Sequence, residues 1–300
     1  MIHTGERYIN PLTDFGFKRI FGSPFNKELL ISFLNAILDG ERVVKDVTFN
    51  NSEKFGTNEA SRRAVFDVYC TTNDGGRCIV EMQNVYQDFY KDRSIYYSTF
   101  AITDQAKRGD WNYELNDVYT IGILNFAFPE DKDKGYDNEV IKKVQLTDVK
   151  SGDIFYDKLT YFYVMLTNFN KSLEDCDTII DKWLFCLRNL QNLLERPTAL
   201  QGRVFERLFH TAEIAKFSPN ERREYELSIN AYRDIKNGME SAKKEGLEKG
   251  IAIGTEKGIA IGTEKIAKKL KQMGMSGADI AKATGLTKEE IDKIEDNSYN

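Results

Sequence analysis

The chain has 300 residues, 41% of them hydrophobic, with 19 Phe, 15 Tyr and a formal net charge of −5. Such apolar and aromatic content excludes a disordered chain, and no apolar run approaches the roughly 20 residues of a membrane span, so one dominant globular unit with appendages is expected. The acidic balance excludes a protein that clothes itself in nucleic acid, because that affinity comes from Lys and Arg neutralising phosphates; it leaves room for a local basic cleft.

After Pro11, the run Thr13-Asp14-Phe15-Gly16-Phe17-Lys18-Arg19-Ile20-Phe21-Gly22 precedes Asn26, which opens an amphipathic helix. Leu29, Leu30, Phe33, Leu34, Ile37 and Leu38 recur on one face, and Gly40 ends it. Val43 to Asn50 alternates as a strand, residues 51–63 read as a polar loop, and Ala64 to Cys70 is a second β-rich run. Thr72-Asn73-Asp74-Gly75-Gly76 is tight-turn chemistry, since Asn, Asp and Gly tolerate positive φ, and Cys78 to Gln83 returns as the partner strand. Residues 64–83 therefore form a β-hairpin. From about Asp92 to Arg108 the spacing of Ile95, Tyr96, Ser98, Thr99, Ile102 and Ala106 predicts a helix packed on a sheet, followed by an apolar strand from Val118 to Phe128, closed by Pro129. Residues 140–149 add a strand, whereas 159–167 is a continuous apolar run that suits strand or helix equally.

Beyond Ser172 the pattern turns helical, with Ile179, Ile180, Trp183, Leu184, Leu187, Leu190, Leu193 and Leu194 at helical intervals up to Pro197. Ser218-Pro219-Asn220-Glu221 begins another helix, combining capping-box spacing with proline at the first helical position. The tail repeats Ile-Ala-Ile-Gly-Thr-Glu-Lys from Ile251 and again from Ile259. Its Glu, Lys and Ala favour helix and its glycines weaken it, and the drifting apolar stripe suits a homo-oligomeric contact. Ser276 and Thr287 each start a short helix around Thr284-Gly285-Leu286, a pair that resembles a helix-turn-helix. Glu289, Glu290 and Asp292 on its second helix favour packing or a protein partner over DNA reading. The expected organisation is an α/β domain over 1–150, an α-helical region over 151–235 that completes or packs on it, and a repetitive helical tail over 236–300.

The segment Met1 to Arg7 lacks a basic stretch followed by an apolar one, which points to a cytoplasmic location with no membrane partner. Cys70, Cys78, Cys176 and Cys186 have neither a disulfide framework nor Cys-x-x-Cys spacing and read as buried thiols. His3 and His210 stand far apart, outside any triad or metal motif.

The chemistry concentrates on the hairpin. Strand side chains alternate between faces, so Glu81 and Gln83 point one way, with Val80 and Met82 in the opposite layer. Asp67, between Phe66 and Val68, is again a carboxylate with apolar neighbours facing away, and strands about 4.8 Å apart let Asp67 and Glu81 converge on one cation. Acidic residues in strands usually sit on a solvated face. Here they interrupt the apolar runs Ala-Val-Phe-Asp-Val-Tyr-Cys and Cys-Ile-Val-Glu-Met-Gln, where burying a carboxylate is costly without compensation. An oxygen-only site of this kind suits Mg²⁺, with Mn²⁺ as an alternative, acting as Lewis acid and activator of water. Gln83 cannot serve as a base but can orient water or hydrogen-bond a phosphate.

A helix, then Asp67, then Glu81-x-Gln83 after a hairpin, then a helix resembles the PD-(D/E)XK nuclease fold. More narrowly, Thr13 to Gly22, Phe66-Asp-Val, Ile79-Val-Glu-Met-Gln83 and the stretch from Arg93 through Tyr96-Tyr97 to Gln105 resemble the family of recombination-promoting nucleases and transposases, over about residues 8–130, with a similar helical remainder. The resemblance implies an α/β, restriction-endonuclease-like αβββαβ core with a C-terminal α-helical region, and metal-dependent endonucleolytic cleavage of DNA. Carried over by position, Asp67 and Glu81 are metal ligands, and Gln83 stands where related nucleases have lysine. Without that ammonium, either activity is low or another cation such as Lys18 substitutes in stabilising the developing charge. Asp14 either completes the acidic cluster or caps the first helical turn after Thr13. Arg93 and Tyr97 share a helix face, which suits Arg93 to phosphate contact and leaves the Tyr96–Tyr97 pair between core packing and base stacking. The rival reading is a catalytically weak or inactive nuclease-fold scaffold that binds DNA or protein through its helical tail.

Overall fold

The computed structural model describes residues 6–54, 64–107, 109–132, 135–136 and 138–294. Most of the loop expected over 51–63, the Arg108 end of the expected third helix and the first residues of the chain, His3 included, lie outside them. The chain divides into two compact units, Met1–Tyr232 and Arg233–Asn300.

The first unit is built on a six-stranded mixed sheet. Its strands are β1 (Val47–Phe49), β4 (Val68–Thr72), β5 (Arg77–Gln83), β6 (Val118–Leu124), β7 (Ile141–Thr147) and β8 (Ile154–Met165), in the order β1-β4-β5-β6-β8-β7. A two-stranded ribbon, β2 (Glu53–Lys54) and β3 (Ala64–Val65), extends from β1 and β4. β4 and β5 form the expected hairpin, with Val68 opposite Val80 and Thr71 opposite Arg77, while β5, β6 and β8 run parallel. The helices of the unit are α1 (Asp14–Phe21), α2 (Lys27–Leu38), α3 (Tyr90–Thr103), a short α4 (Pro129–Lys132), α5 (Ile179–Asn189), α6 (Arg203–Ala212) and the start of α7 (Pro219–Gln272).

Alternation along the strands divides the core into two layers. Val68, Cys70, Cys78, Val80, Ile121, Ile123, Phe162 and Val164 join one apolar cluster with Phe17, Phe21, Leu30, Phe33, Trp183 and Leu208, placing α1, α2, α5 and α6 on that face. On the other face Tyr69, Ile79 and Val118 pack with Ala101 of α3, and Tyr161, Tyr163 and Leu124 pack with Tyr90. Two serines fasten α3 to β8: Ser94 Oγ pairs with the Tyr163 hydroxyl at 2.7 Å and Ser98 Oγ with that of Tyr161 at 2.8 Å. These bonds satisfy polar groups buried in the layer. All four cysteines are free and buried.

Three expectations are corrected. Ala64 to Cys70 is not one strand: between Phe49↔Cys70 and Glu53↔Val65 the first strand advances four residues while the second advances five, an extra residue at Phe66–Asp67 characteristic of a bulge. Phe66 consequently turns to the α3 face beside Tyr69, not to the opposite layer with Val68. The domain edge expected at 150 falls inside the sheet, because the apolar run that suited strand or helix is the parallel strand β8, covered on both faces and therefore lacking alternation. α6 falls within the α-helical region expected over 151–235, and Phe205, Leu208 and Phe209 on it are buried.

In the second unit α7 continues unbroken through the repeat to Gln272, followed by α8 (Gly277–Thr284) and α9 (Lys288–Lys293). Ser276 and Thr287 cap the two short helices, and Gly285 at φ 75° makes the turn between them. Ile280, Ile291 and Ile294 close on Ala267 as a small core, which is the packing role that the acidic α9 favours.

Candidate metal centre

Three elements bring the candidate residues together. The bulge sets Asp67 just before β4, where it faces the α3 side with Tyr69; β5 presents Glu81 and Gln83 on that same face, between Ile79 and the end of the sheet. The two acidic residues bind each other through the backbone. The Asp67 N–H donates to Glu81 Oε1 at 3.0 Å, and the Met82 N–H donates to Asp67 Oδ2 at 2.9 Å. Each carboxylate thus has one oxygen anchored and one that receives no hydrogen bond among the described residues.

The electrostatics of this pair is unfavourable by itself. Burial and then the neighbouring charge of Asp67 push the Glu81 carboxyl up to about 8, against the opposing Asp67 N–H, Arg93 and Lys18. Asp67 is also raised, by burial above all and by the charge of Asp14, with the Met82 N–H and Lys18 acting the other way. Neither carboxylate has an ion-pair partner among the described residues. A buried and a half-buried carboxylate with open oxygens and no contacting cation are a donor set suited to a hard divalent ion. No group of three or more His, Cys, Asp or Glu that could hold a metal occurs among the described residues, so an ion held by this pair would need its remaining ligands from outside the protein.

α1 exists where it does because of two local features. Thr13 caps it by accepting the Gly16 N–H at 3.0 Å, and Gly16 lets the helix press on the preceding turn, where a Cβ would come 2.2 Å from the Asn10 carbonyl oxygen. Asp14 therefore does not cap the helix. It is exposed and forms an i,i+4 ion pair with Lys18 at 2.6 Å, so it bears on the carboxylate pair through its charge and through holding Lys18, not through a hydrogen bond. Burial acts to lower the pKa of Lys18, but the hydrogen bond and charge of Asp14, with the fields of Asp67 and Glu81, outweigh it and leave it raised.

Arg93 makes two hydrogen bonds within the protein. One terminal nitrogen donates to Gln83 Oε1 at 2.6 Å and the other to Gln87 Oε1 at 2.7 Å, with the guanidinium over the rings of Tyr90 and Tyr97. Gln83 is fixed at its other end by donating to the Val85 carbonyl at 3.0 Å. Of the aromatic pair, Tyr97 packs edge-on against Phe66 at 5.0 Å while Tyr96 stays 41% exposed. Gln105 is structural: it is buried and accepts the Asn116 N–H at 2.7 Å where the chain enters β6.

One neighbour escaped the sequence reading. Gly122 lies opposite Glu81 in the parallel ladder, and a Cβ there would come 2.3 Å from the Tyr90 hydroxyl, so the glycine makes room for the ring that closes the buried side of the centre. A lone glycine inside Val-Tyr-Thr-Ile-Gly-Ile-Leu was the available signal, since glycine in a strand interior often marks a close approach.

The family model for PD-(D/E)XK nuclease family transposases matches residues 11–242, and the chain belongs to that family. No curated protein and no solved structure matches. The match supports a nuclease-type hydrolase with DNA as the substrate its family implies.

Proposed function

We propose that this member of the family is a Mg²⁺-dependent DNA endonuclease, served also by Mn²⁺, in which Asp67 and Glu81 hold the cation. The observation that supports it is the desolvated Asp67–Glu81 pair, both carboxyls raised, with one open oxygen on each side chain. A chain gains nothing in folding from two such carboxylates, and a dication removes the conflict. When bound, the ion supplies Lewis acidity toward phosphate oxygens and an acidified water.

The remaining work falls to the side chains around the pair. Gln83, clamped by Arg93 and Val85, keeps one N–H and one lone pair for the attacking water or the scissile phosphate. It takes no proton, so it orients and does not act as base. Lys18, kept charged and steered by Asp14, supplies positive potential at the carboxylates and at charge developing on the phosphate, the task that a lysine at position 83 performs in related nucleases. Arg93 serves as the positioning residue for Gln83, with its own charge felt at Glu81.

The test is nicking of supercoiled plasmid with Mg²⁺ or Mn²⁺ by the parent, Asp67→Asn and Glu81→Gln, alongside calorimetric titration of Mn²⁺. Cleavage by the parent alone, with Mn²⁺ binding lost in both variants, is the expected result. Equal cleavage by Asp67→Asn would overturn the site. The unit spanning Met1–Tyr232 carries this activity in our reading. The exposed Ile251, Ile253, Ile259 and Ile261 of α7 support a homo-oligomeric contact through the tail, which sedimentation of the full chain would test.

A further inference from the structure

The loop between β5 and α3 opens a cleft of about 820 Å³ that the cleavage chemistry leaves unexplained. Tyr86, Asp88, Phe89, Asp92, Arg93 and Tyr96 line it. It adjoins the proposed centre through Arg93, which lines it and donates to Gln83. Phe89, at the N-terminus of α3, is 75% exposed, and Tyr96 on the same helix is also exposed. Two exposed aromatic side chains within a concave site beside the proposed centre have an obvious class of ligand: a planar base.

Charge decides which part of a nucleotide enters. Asp88 and Asp92 are both exposed there against the single guanidinium of Arg93, whose terminal nitrogens donate one hydrogen bond each, to Gln87 and Gln83. The positive end of α3 is already answered by Asp92 in its first turn. A phosphate would meet net negative potential, whereas exocyclic amino groups on a base would find carboxylate acceptors. The cleft is thus unsuited to the DNA backbone that the centre beside it must hold.

We propose that this cleft receives an unstacked nucleobase flanking the scissile phosphate, with Phe89 as its stacking surface, so that DNA containing a locally unpaired base is the preferred substrate. This rests on the nuclease reading for the position of the scissile phosphate, but the base site makes its own claim on binding. Base-on-aromatic stacking removed by alanine commonly costs on the order of tenfold or more in affinity.

The experiment measures fluorescence anisotropy of labelled duplexes with the full chain in EDTA, comparing a fully paired duplex with the same duplex carrying one unpaired base. The parent should bind the second about tenfold more tightly, Phe89→Ala should lose that preference while binding the paired duplex as the parent does, and Phe89→Trp should restore it. Phe89 is exposed, so its truncation leaves the fold intact, which an unchanged melting curve will verify. No preference in the parent, or equal weakening of both duplexes by Phe89→Ala, overturns the proposal. Plasmid nicking separates the two readings. If nicking depends on Asp67 but the preference is absent, the base site alone is wrong; if the preference holds but no Asp67-dependent nicking occurs, the nuclease reading is wrong.

Discussion

Glu81 and Glu245 are the same residue in opposite settings. Glu245, in the long helix of the second unit, pairs with Lys249 at 2.6 Å, with both side chains about two-thirds exposed. Such an i,i+4 pair contributes about 0.3–0.5 kcal/mol, and its absence would cost little, because water serves either charge. Glu81 is 9% exposed, faces another carboxylate and has no ion-pair partner among the described residues. Folding alone explains the first arrangement and works against the second. An ionisable group that the fold holds against its own preference is a candidate for function, whereas an abundance of satisfied charges, as in the tail, is only the mark of a solvated helix.

The contrast breaks first on activity. Asp67→Asn and Glu81→Gln should each reduce metal-dependent DNA cleavage on the order of 10³-fold, while exchanging Glu245 and Lys249 for glutamine should leave it unchanged. Both site variants keep an oxygen that accepts the same backbone N–H, so circular dichroism should show an unaltered fold. Comparable losses from site and tail variants would erase the distinction.

Glycines give the same contrast in a stability measurement. Gly16→Ala drives a Cβ to 2.2 Å from a backbone carbonyl oxygen, which cannot retreat without moving the turn before α1. Gly122→Ala meets the Tyr90 hydroxyl at 2.3 Å inside a packed layer. Each should cost about 2–3 kcal/mol in denaturant unfolding of the first unit. Since Gly16 positions Lys18 and Gly122 seats Tyr90 beside Glu81, cleavage should fall in both even at temperatures where the domain is folded.

How much of this was readable in the sequence follows from how local each feature is. The β4–β5 hairpin, its turn and the shared face of Glu81 and Gln83 follow from period-two alternation and Asn-Asp-Gly-Gly chemistry, which act over a few residues. The caps at Thr287 and Ser218 were legible for the same reason. The bulge at Asp67 was not, because it becomes visible only when two strands distant in sequence are laid in register. β8 eluded assignment because a strand buried on both faces loses the alternation that identifies strands. The link from Arg93 to Gln83 depends on the rotation of α3 over the sheet, which the Ser94 and Ser98 bonds to two tyrosines set and no local pattern encodes.

The pH dependence of the metal-free protein sharpens the comparison further. With the folded value of Glu81 near 8 and its ordinary value 4.5, the folded state retains a proton that the unfolded chain releases over that interval. Raising pH therefore favours unfolding, and this contribution to stability, fully present below about 4.5, is lost as pH climbs to about 8. Urea unfolding in EDTA at several pH values should give a falling stability that flattens in Glu81→Gln. Added Mg²⁺ should reverse the fall, because the cation binds the deprotonated pair and releases protons.

The smallest effect belongs to the tail and has the opposite sign. Gly250, Gly254 and Gly258 lie inside α7, and a Cβ at each meets nothing within 4 Å. Glycine in an exposed helix interior costs about 0.8–1.0 kcal/mol relative to alanine, so Gly254→Ala should stabilise the helix by about that amount with no loss of cleavage. Amide exchange of the second unit would register the gain locally, where a global melt dominated by the larger unit would miss it. If the tail also pairs with another copy, the three glycines would keep two backbones close, and alanine at all three would weaken the oligomer while strengthening the isolated helix. Opposite movements of those two quantities would therefore assign the glycines to contact; parallel movement would leave them as unfavourable residues in a solvated helix.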